Sequence, residues 1–159
     1  MNDMNIRPAT PADSLTLSSL SGDVQRLHAQ YHPVIFKIPQ KDDFAASFFG
    51  EALEDPATRI FIAERDGQAL GYILCKLIER PENPFTFTTR FLMIDQISVR
   101  PSIRGQGVGT ALMGQAEILA RELGVQRIQL DSWDFNLGAH AFFERSGFQK
   151  FNFRFWKNL

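Results

Sequence analysis

Sulfur chemistry is nearly absent from this chain. A single cysteine, Cys75, among 159 residues excludes an internal disulfide and any thiolate-rich metal site. An excess of one charge is missing too: 17 basic side chains face 18 acidic ones, so no basic face argues for nucleic acid. No apolar run approaches the roughly 18 residues that span a bilayer, and the opening MNDMNIRPATPAD has no apolar signal core. A cytoplasmic protein, with neither nucleic acid nor membrane as partner, is the expectation. Repeats, low-complexity tracts and linkers are also lacking, which makes one domain over 1–159 the expected organisation. Tyrosine is scarce, two residues against 15 phenylalanines, and this imbalance bears on the chemistry below.

What the chain does have is apolar material for a core, 44% of its residues, arranged with clear periodicity. Residues 4–9 read as a short strand closed by Pro8 and a turn at Pro11. Asp13 is the expected N-cap of a helix carrying Leu15, Leu17 and Leu20, and a second helical stretch over 24–31 ends at His32-Pro33. Phe44, Ala45, Phe48, Phe49, Ala52 and Leu53 recur at helical spacing over 42–53. Strands at 60–63 and 70–78 flank the hairpin turn Asp66-Gly67. After a Pro-bearing loop, 87–99 predicts a central strand, 106–123 a helix stopped by Gly124, 127–131 a strand and 137–146 a helix. A last strand is expected over 148–155, where Phe151, Phe153 and Phe155 alternate with Asn152 and Arg154. The order β-α-α-β-β-β-α-β-α-β predicts a mixed α/β sheet, not a doubly wound nucleotide fold.

The densest information lies where the central strand passes through Pro101 into Gly105, Gly107 and Gly109 and straight into a helix. The first turn of a helix offers unpaired N–H groups and partial positive charge. Glycines let a diphosphate approach those amides, and Arg104 adds a guanidinium suited to phosphate oxygens. The P-loop is excluded because Thr110-Ala111 follows Gly109 where Lys-Ser/Thr is required. A dinucleotide fingerprint is excluded because Thr110 occupies the place of its third glycine. What remains is Arg-x-x-Gly-x-Gly, over Arg104, Gly107 and Gly109.

Here the chain resembles the GCN5-related N-acetyltransferase family, whose pyrophosphate-binding signature is Gln/Arg-x-x-Gly-x-Gly/Ala. A second stretch resembles the family's other signature, an Asn that opens a helix carrying Ala, an aromatic pair and then Gly-Phe. Asn136, Ala139, Phe142, Phe143, Gly147 and Phe148 fall on that spacing. The resemblance implies a mostly antiparallel sheet of about six to seven strands flanked by about four helices. It also implies acetyl-CoA as co-substrate, without a metal, and direct transfer of acetyl to an amine. The diphosphate seat would be the turn of Arg104, Gly105, Gln106, Gly107, Val108, Gly109 and Thr110. The pantetheine arm would lie between the backbone of Ile97, Ser98 and Val99 and the wall of Asn136, Ala139, Phe142 and Phe143. An amide of Ile97 or Val99 would hold the oxyanion.

No catalytic cysteine is needed for direct transfer, and Cys75 in an apolar strand reads as core. A lysine-like amine is protonated near pH 7, so a base must act. Asp131 stands at the spacing that serves as base in relatives acetylating protein N-termini; Asp95, on the central strand, and Asp134 are rivals. Many members carry at Phe143 a Tyr whose hydroxyl protonates the departing thiolate, a role phenylalanine cannot fill. Water, Tyr72, Tyr31 or His140 could replace it. His28 and His32 stand four apart without a third ligand, which argues against a metal. The Phe-rich end reads as a terminal strand over the core or, alternatively, as the surface of a homodimer.

The acceptor is expected against the two helices after the first strand and the loop 80–89. Acids there (Asp23, Asp42, Asp43, Glu51, Glu54 and Glu82) suit a cationic amine, whether polyamine, aminoglycoside or peptide. Two other readings stand beside the transferase: a catalytically silent acyl-CoA-binding sensor or partner module, and a nucleotide-binding domain.

Overall fold

The computed structural model describes residues 3–159. Five strands form one sheet in the order β1-β2-β3-β4-β5: β1 (Asn5–Pro8), β2 (Thr58–Arg65), β3 (Gln68–Arg80), β4 (Thr89–Val99) and β5 (Ile128–Leu130). Neighbours run antiparallel except β4 and β5, which are parallel. Helices α1 (Ser14–Tyr31) and α2 (Ala46–Glu54) cover one face, while α3 (Val108–Glu122) packs on the other and α4 (Leu137–Arg145) follows β5.

Period-two alternation divides the core between the faces. Ile60, Ile62, Tyr72 and Leu74 join Leu17, Leu20 and Phe49 beneath α1 and α2. Phe61, Ala63, Ile73 and Cys75 join Leu112, Met113 and Ala116 of α3. Burial on both faces explains why β3 reads as a nearly unbroken apolar run.

Several expectations are corrected. The two helical stretches between Asp13 and Tyr31 are one helix, because burial of Leu17, Leu20 and Ala29 outweighs the helix cost of Gly22, about 1 kcal/mol. The Asp13 side chain does not cap it. That carboxylate accepts two bonds from Arg7 at 2.9 Å, tying the helix entry to β1. The Arg7 guanidinium also holds it well below the usual carboxylate range, at about 2. Helix α2 starts at Ala46, because Ser18 of α1 donates to Asp42 O at 2.6 Å and accepts from Ala45 N at 3.0 Å, holding 42–45 as a turn.

The final strand over 148–155 is absent, and the sheet has five strands where six to seven were expected. Phe151, Phe153 and Phe155 are left 72%, 71% and 91% exposed. Alternation states which face a strand would bury; it does not supply an edge to pair with.

One glycine is fixed by packing. Gly71 of β3 sits opposite Val99, and a Cβ there would lie 2.5 Å from Ser98 O. Gly71→Ala must therefore displace β4 at Ser98. The expected cost is about 1–3 kcal/mol, read as a lower urea midpoint at unchanged m-value.

Candidate active site

The site begins at a fault in the β3–β4 ladder. Leu74 pairs with Gln96 and Cys75 with Ile94, so Asp95 is an extra residue bulged out of β4. On its other side β4 pairs with β5 only over Leu92 to Ile94, against Ile128 to Leu130. Past that point β4 continues to Val99 with no strand beside it. Leu92 donates its N–H toward β5, to Arg127 O at 3.0 Å, whereas Arg100 donates toward β3, to Leu70 O at 2.9 Å. Main-chain groups alternate sides along a strand and the bulge shifts the phase, so those of Ile97 and Val99 turn into the gap. Ser98 faces the other way, its hydroxyl bonded to Leu20 O of α1 at 2.9 Å and buried. The fault thus frees two sets of backbone groups while the strand stays anchored.

The glycine turn borders this gap. Gly105 and Gly107 have φ of +79° and +84°, a region that favours glycine, and Gly107 is the N-cap of α3. The first helical bond is that of Ala111 N to Gly107 O at 3.0 Å, so the N–H groups of Val108, Gly109 and Thr110 precede the intrahelical ladder. Gly109 serves a different purpose. A Cβ there would lie 3.2 Å from Phe142 Cζ, so its bareness lets α4 close against α3. Across the gap Asn136 caps α4, accepting from Ala139 N at 3.3 Å.

These elements enclose a cavity of about 1080 Å³. One end is lined by the turn from Ile103 to Thr110 and by α4, the other by α1, by residues 44–49 and by Trp133 after β5. A groove with bare helix-start amides at one end, free strand backbone in the middle and a walled chamber beyond suits a long phosphate-bearing thioester and a second, smaller reactant.

Comparison with known proteins agrees with this geometry. Residues 22–148 match the model of the acetyltransferase (GNAT) family. The chain belongs to that family. It is 27% identical over 154 residues to the aminoalkylphosphonate N-acetyltransferase of Salmonella typhimurium, covering 97% of this chain and 90% of that one. In fold it resembles a tetramutant of the BH1408 protein from Bacillus halodurans, with TM-score 0.92, 22% identity and coverage of 98% of this chain and 99% of that one. It also resembles the aminoglycoside N-acetyltransferase AAC(6')-Iy in complex with CoA, with TM-score 0.76, 19% identity and coverage of 100% and 96%. As a GNAT protein the chain is an acetyl-CoA-dependent N-acetyltransferase, and neither the silent binding module nor the nucleotide-binding domain is favoured.

Most of the residues anticipated for a GNAT site are gathered in this cavity. Asp95, Ile97, Ser98, Val99, Arg104, Gly105, Gly107, Val108, Gly109, Thr110, Asp131, Asn136, Ala139, Phe142 and Phe143 all line it. Gln106 does not; it is exposed on the outside of the turn. Arg104 donates to Val99 O at 3.3 Å, across the mouth of the gap. Asp131 follows β5 directly and has no bonded partner among the described residues. Asp95 lies 3.7 Å from Lys76 Nζ. Asp134 points away, 89% exposed at its side chain and 3.7 Å from His32 Nε2.

Among the groups considered in place of the missing tyrosine, Tyr72 lines the cavity, whereas Tyr31 and His140 do not. Tyr72 is buried and donates to Gln96 Oε1 at 2.6 Å; burial raises its hydroxyl above the ordinary value of 10. Cys75 is buried in the α3-side core, and burial pushes its thiol up to about 12.

The acceptor chamber differs from expectation. Helix α1 and the residues around α2 line it, but no residue of the loop 80–89 does. That loop closes the far end of the β3–β4 hairpin, where Arg80 pairs with Thr89, while the gap opens beyond Ile94. None of the acids Asp23, Asp42, Asp43, Glu51, Glu54 and Glu82 lines the chamber either. Its rings are His28, Phe36, Phe44, Phe48, Phe49, Tyr72 and Trp133, and the polar side chains of Ser21, Gln25, Gln96 and Ser132 line it with them. The excess of phenylalanine was the available signal for this wall, but composition does not say which rings meet.

With a thiol raised to about 12, Cys75 of the native protein should resist a disulfide reagent at about pH 8, where the thiolate fraction is minute. Full reaction is expected only after urea unfolding, as measured by mass spectrometry. Rapid modification of the native chain would contradict the burial.

Proposed function

We propose that this GNAT chain acetylates a small-molecule amine by direct transfer within a ternary complex. The observation that carries the proposal is the backbone of Ile97 and the N–H of Val99, left without a strand partner between the α3 N-terminus and the chamber of rings. Acetyl-CoA supplies a thioester carbonyl that an amine attacks, with the C–S bond breaking as the new C–N bond forms.

The chain's own groups divide the work. Val108, Gly109 and Thr110 offer their N–H groups to the diphosphate, with Arg104 beside them. Asn136 and the Phe142 and Phe143 rings border the arm on the α4 side. The Ile97 N–H is fixed toward the gap before any charge develops, so it stabilises an oxyanion at no reorganisation cost. Asp131 takes the proton from the incoming ammonium, directly or through one water. Asp95 is the less suitable base because Lys76 Nζ already stands 3.7 Å from its carboxylate as an ion-pair partner. Phe143 offers no proton to the departing thiolate. An ordinary thiol has a pKa of only about 8.5, so solvent suffices.

A covalent relay through cysteine is disfavoured, since Cys75 is buried and its thiol is raised. The small size of the acceptor is supported by the contact of Phe36 with Trp133, ring centroids 5.1 Å apart, which joins the segment before α2 to the segment after β5. A peptide would need a way through that contact. The named activity of the Salmonella relative, on an aminoalkylphosphonate, agrees in size.

Calorimetric titration should give micromolar binding of acetyl-CoA, and Gly107→Trp should abolish it with the unfolding midpoint retained within a few degrees. Normal affinity in that variant would move the diphosphate elsewhere. Asp131→Asn should lower turnover about a hundredfold near pH 7 and recover as the pH approaches the amine pKa, near 10.4. An unchanged pH–rate profile would assign the base to another group.

A further inference from the structure

The chamber's chemistry restricts the amine more narrowly than its volume does. Its rings hold one another edge to face in two groups. His28, Phe36 and Trp133 form one, with centroids 4.8 Å and 5.1 Å apart and interplanar angles of 65° and 81°. Phe48, Phe49 and Tyr72 form the other, at 5.3 Å and 5.5 Å and angles of 81° and 89°. The second group is fastened to β4 beside the bulge by the 2.6 Å bond from Tyr72 to Gln96. These walls are set by packing, yet Phe44, Phe48 and Trp133 remain 40%, 44% and 36% exposed while lining the cavity. Ring surface left open within a cavity in this way marks a place where something apolar sits.

The charges of the cavity are segregated. Its two cations, Arg104 and Arg145, both belong to the glycine turn and α4, the diphosphate side. At the acceptor end the carboxylates are Asp131 and Asp95, and Asp95 is offset by Lys76. Among the described residues no arginine or lysine lines the ringed end. An anion placed there would give up water contacts with no unpaired cation in the lining of that end to replace them. An ammonium, by contrast, meets Asp131 and the faces of aromatic rings.

We infer that the acceptor is a primary amine on an apolar body of about one aromatic ring, without a phosphonate, phosphate or carboxylate, its amine toward Asp131 and its body between Phe36, Phe48 and Trp133. This rests on the transferase reading and narrows its substrate class. It also separates this chain from its Salmonella relative, whose named substrate carries a phosphonate.

The test compares 2-phenylethylamine, 2-aminoethylphosphonate and kanamycin as acceptors, following release of the coenzyme A thiol. The expected kcat/KM for phenylethylamine exceeds the other two by about a hundredfold. Phe36→Ala and Phe48→Ala should each raise KM for phenylethylamine about tenfold while leaving KM for acetyl-CoA unchanged. Equal or greater activity on the phosphonate or on kanamycin overturns the substrate class and leaves the transferase standing. If acetyl-CoA binds but no amine is acetylated, the W156F variant decides, since Trp133 is then the sole tryptophan. A saturable change in its fluorescence with phenylethylamine alone, in the CoA-loaded protein, supports the chamber and counts against transfer. No change with that amine overturns the chamber. Failure to bind acetyl-CoA brings down both readings.

Discussion

A strand that keeps one partner and loses the other is the constraint on which this molecule turns. If β4 paired with β5 along its whole length, its backbone groups would be consumed by the sheet and no groove would exist. Instead β5 ends at Leu130, and the Asp95 bulge changes which backbone groups face the empty side. Buried or half-buried amides without partners are costly, typically about 1–3 kcal/mol each. A fold that maintains such a gap must hold it open with contacts elsewhere.

Those contacts are specific. Ser98 is held to α1 through Leu20 O, and the missing side chain of Gly71 lets β3 approach the same stretch from behind. On the far side, Phe142 lies against bare Gly109, setting α4 at a fixed distance from the start of α3. The three contacts come from α1, β3 and α4, and each sets one wall of the groove. The coenzyme half of the site is therefore a matter of backbone position. Side chains enter it as absences at glycine and as the wall of Asn136, Phe142 and Phe143, with Arg104 at the mouth.

The acceptor half is built on the opposite principle. Backbone plays little part; rings from α1, from the segment before α2 and from the segment after β5 converge on one chamber. Charge is separated along the same division, with Arg104 and Arg145 at the glycine turn and α4 and Asp131 after β5. Cys75 and Tyr72 lie close in sequence on one strand but face opposite cores, which leaves the thiol inert and the hydroxyl within the chamber.

How far the sequence speaks depends on the range of the interaction. Gly105, Gly107 and Gly109 before a helix, and Asn136 at the start of another, are local signals. A turn with positive φ or a capped helix start has the same requirements wherever it occurs. The residues they pointed to, Gln106 excepted, line one cavity, and the element order followed from periodicity up to α4. The final strand could not be decided that way, because a strand needs an edge supplied by residues far away in the chain. The ring wall is the same kind of problem: Phe36 and Trp133 are widely separated in sequence and meet only where the segment after α1 comes against the segment after β5. Sequence alone determined the family and the glycine turn that opens α3, both readable from short windows. Tertiary structure alone decided where β4 parts from β5, which acids line the cavity and which rings meet there, because each depends on contacts between residues distant along the chain.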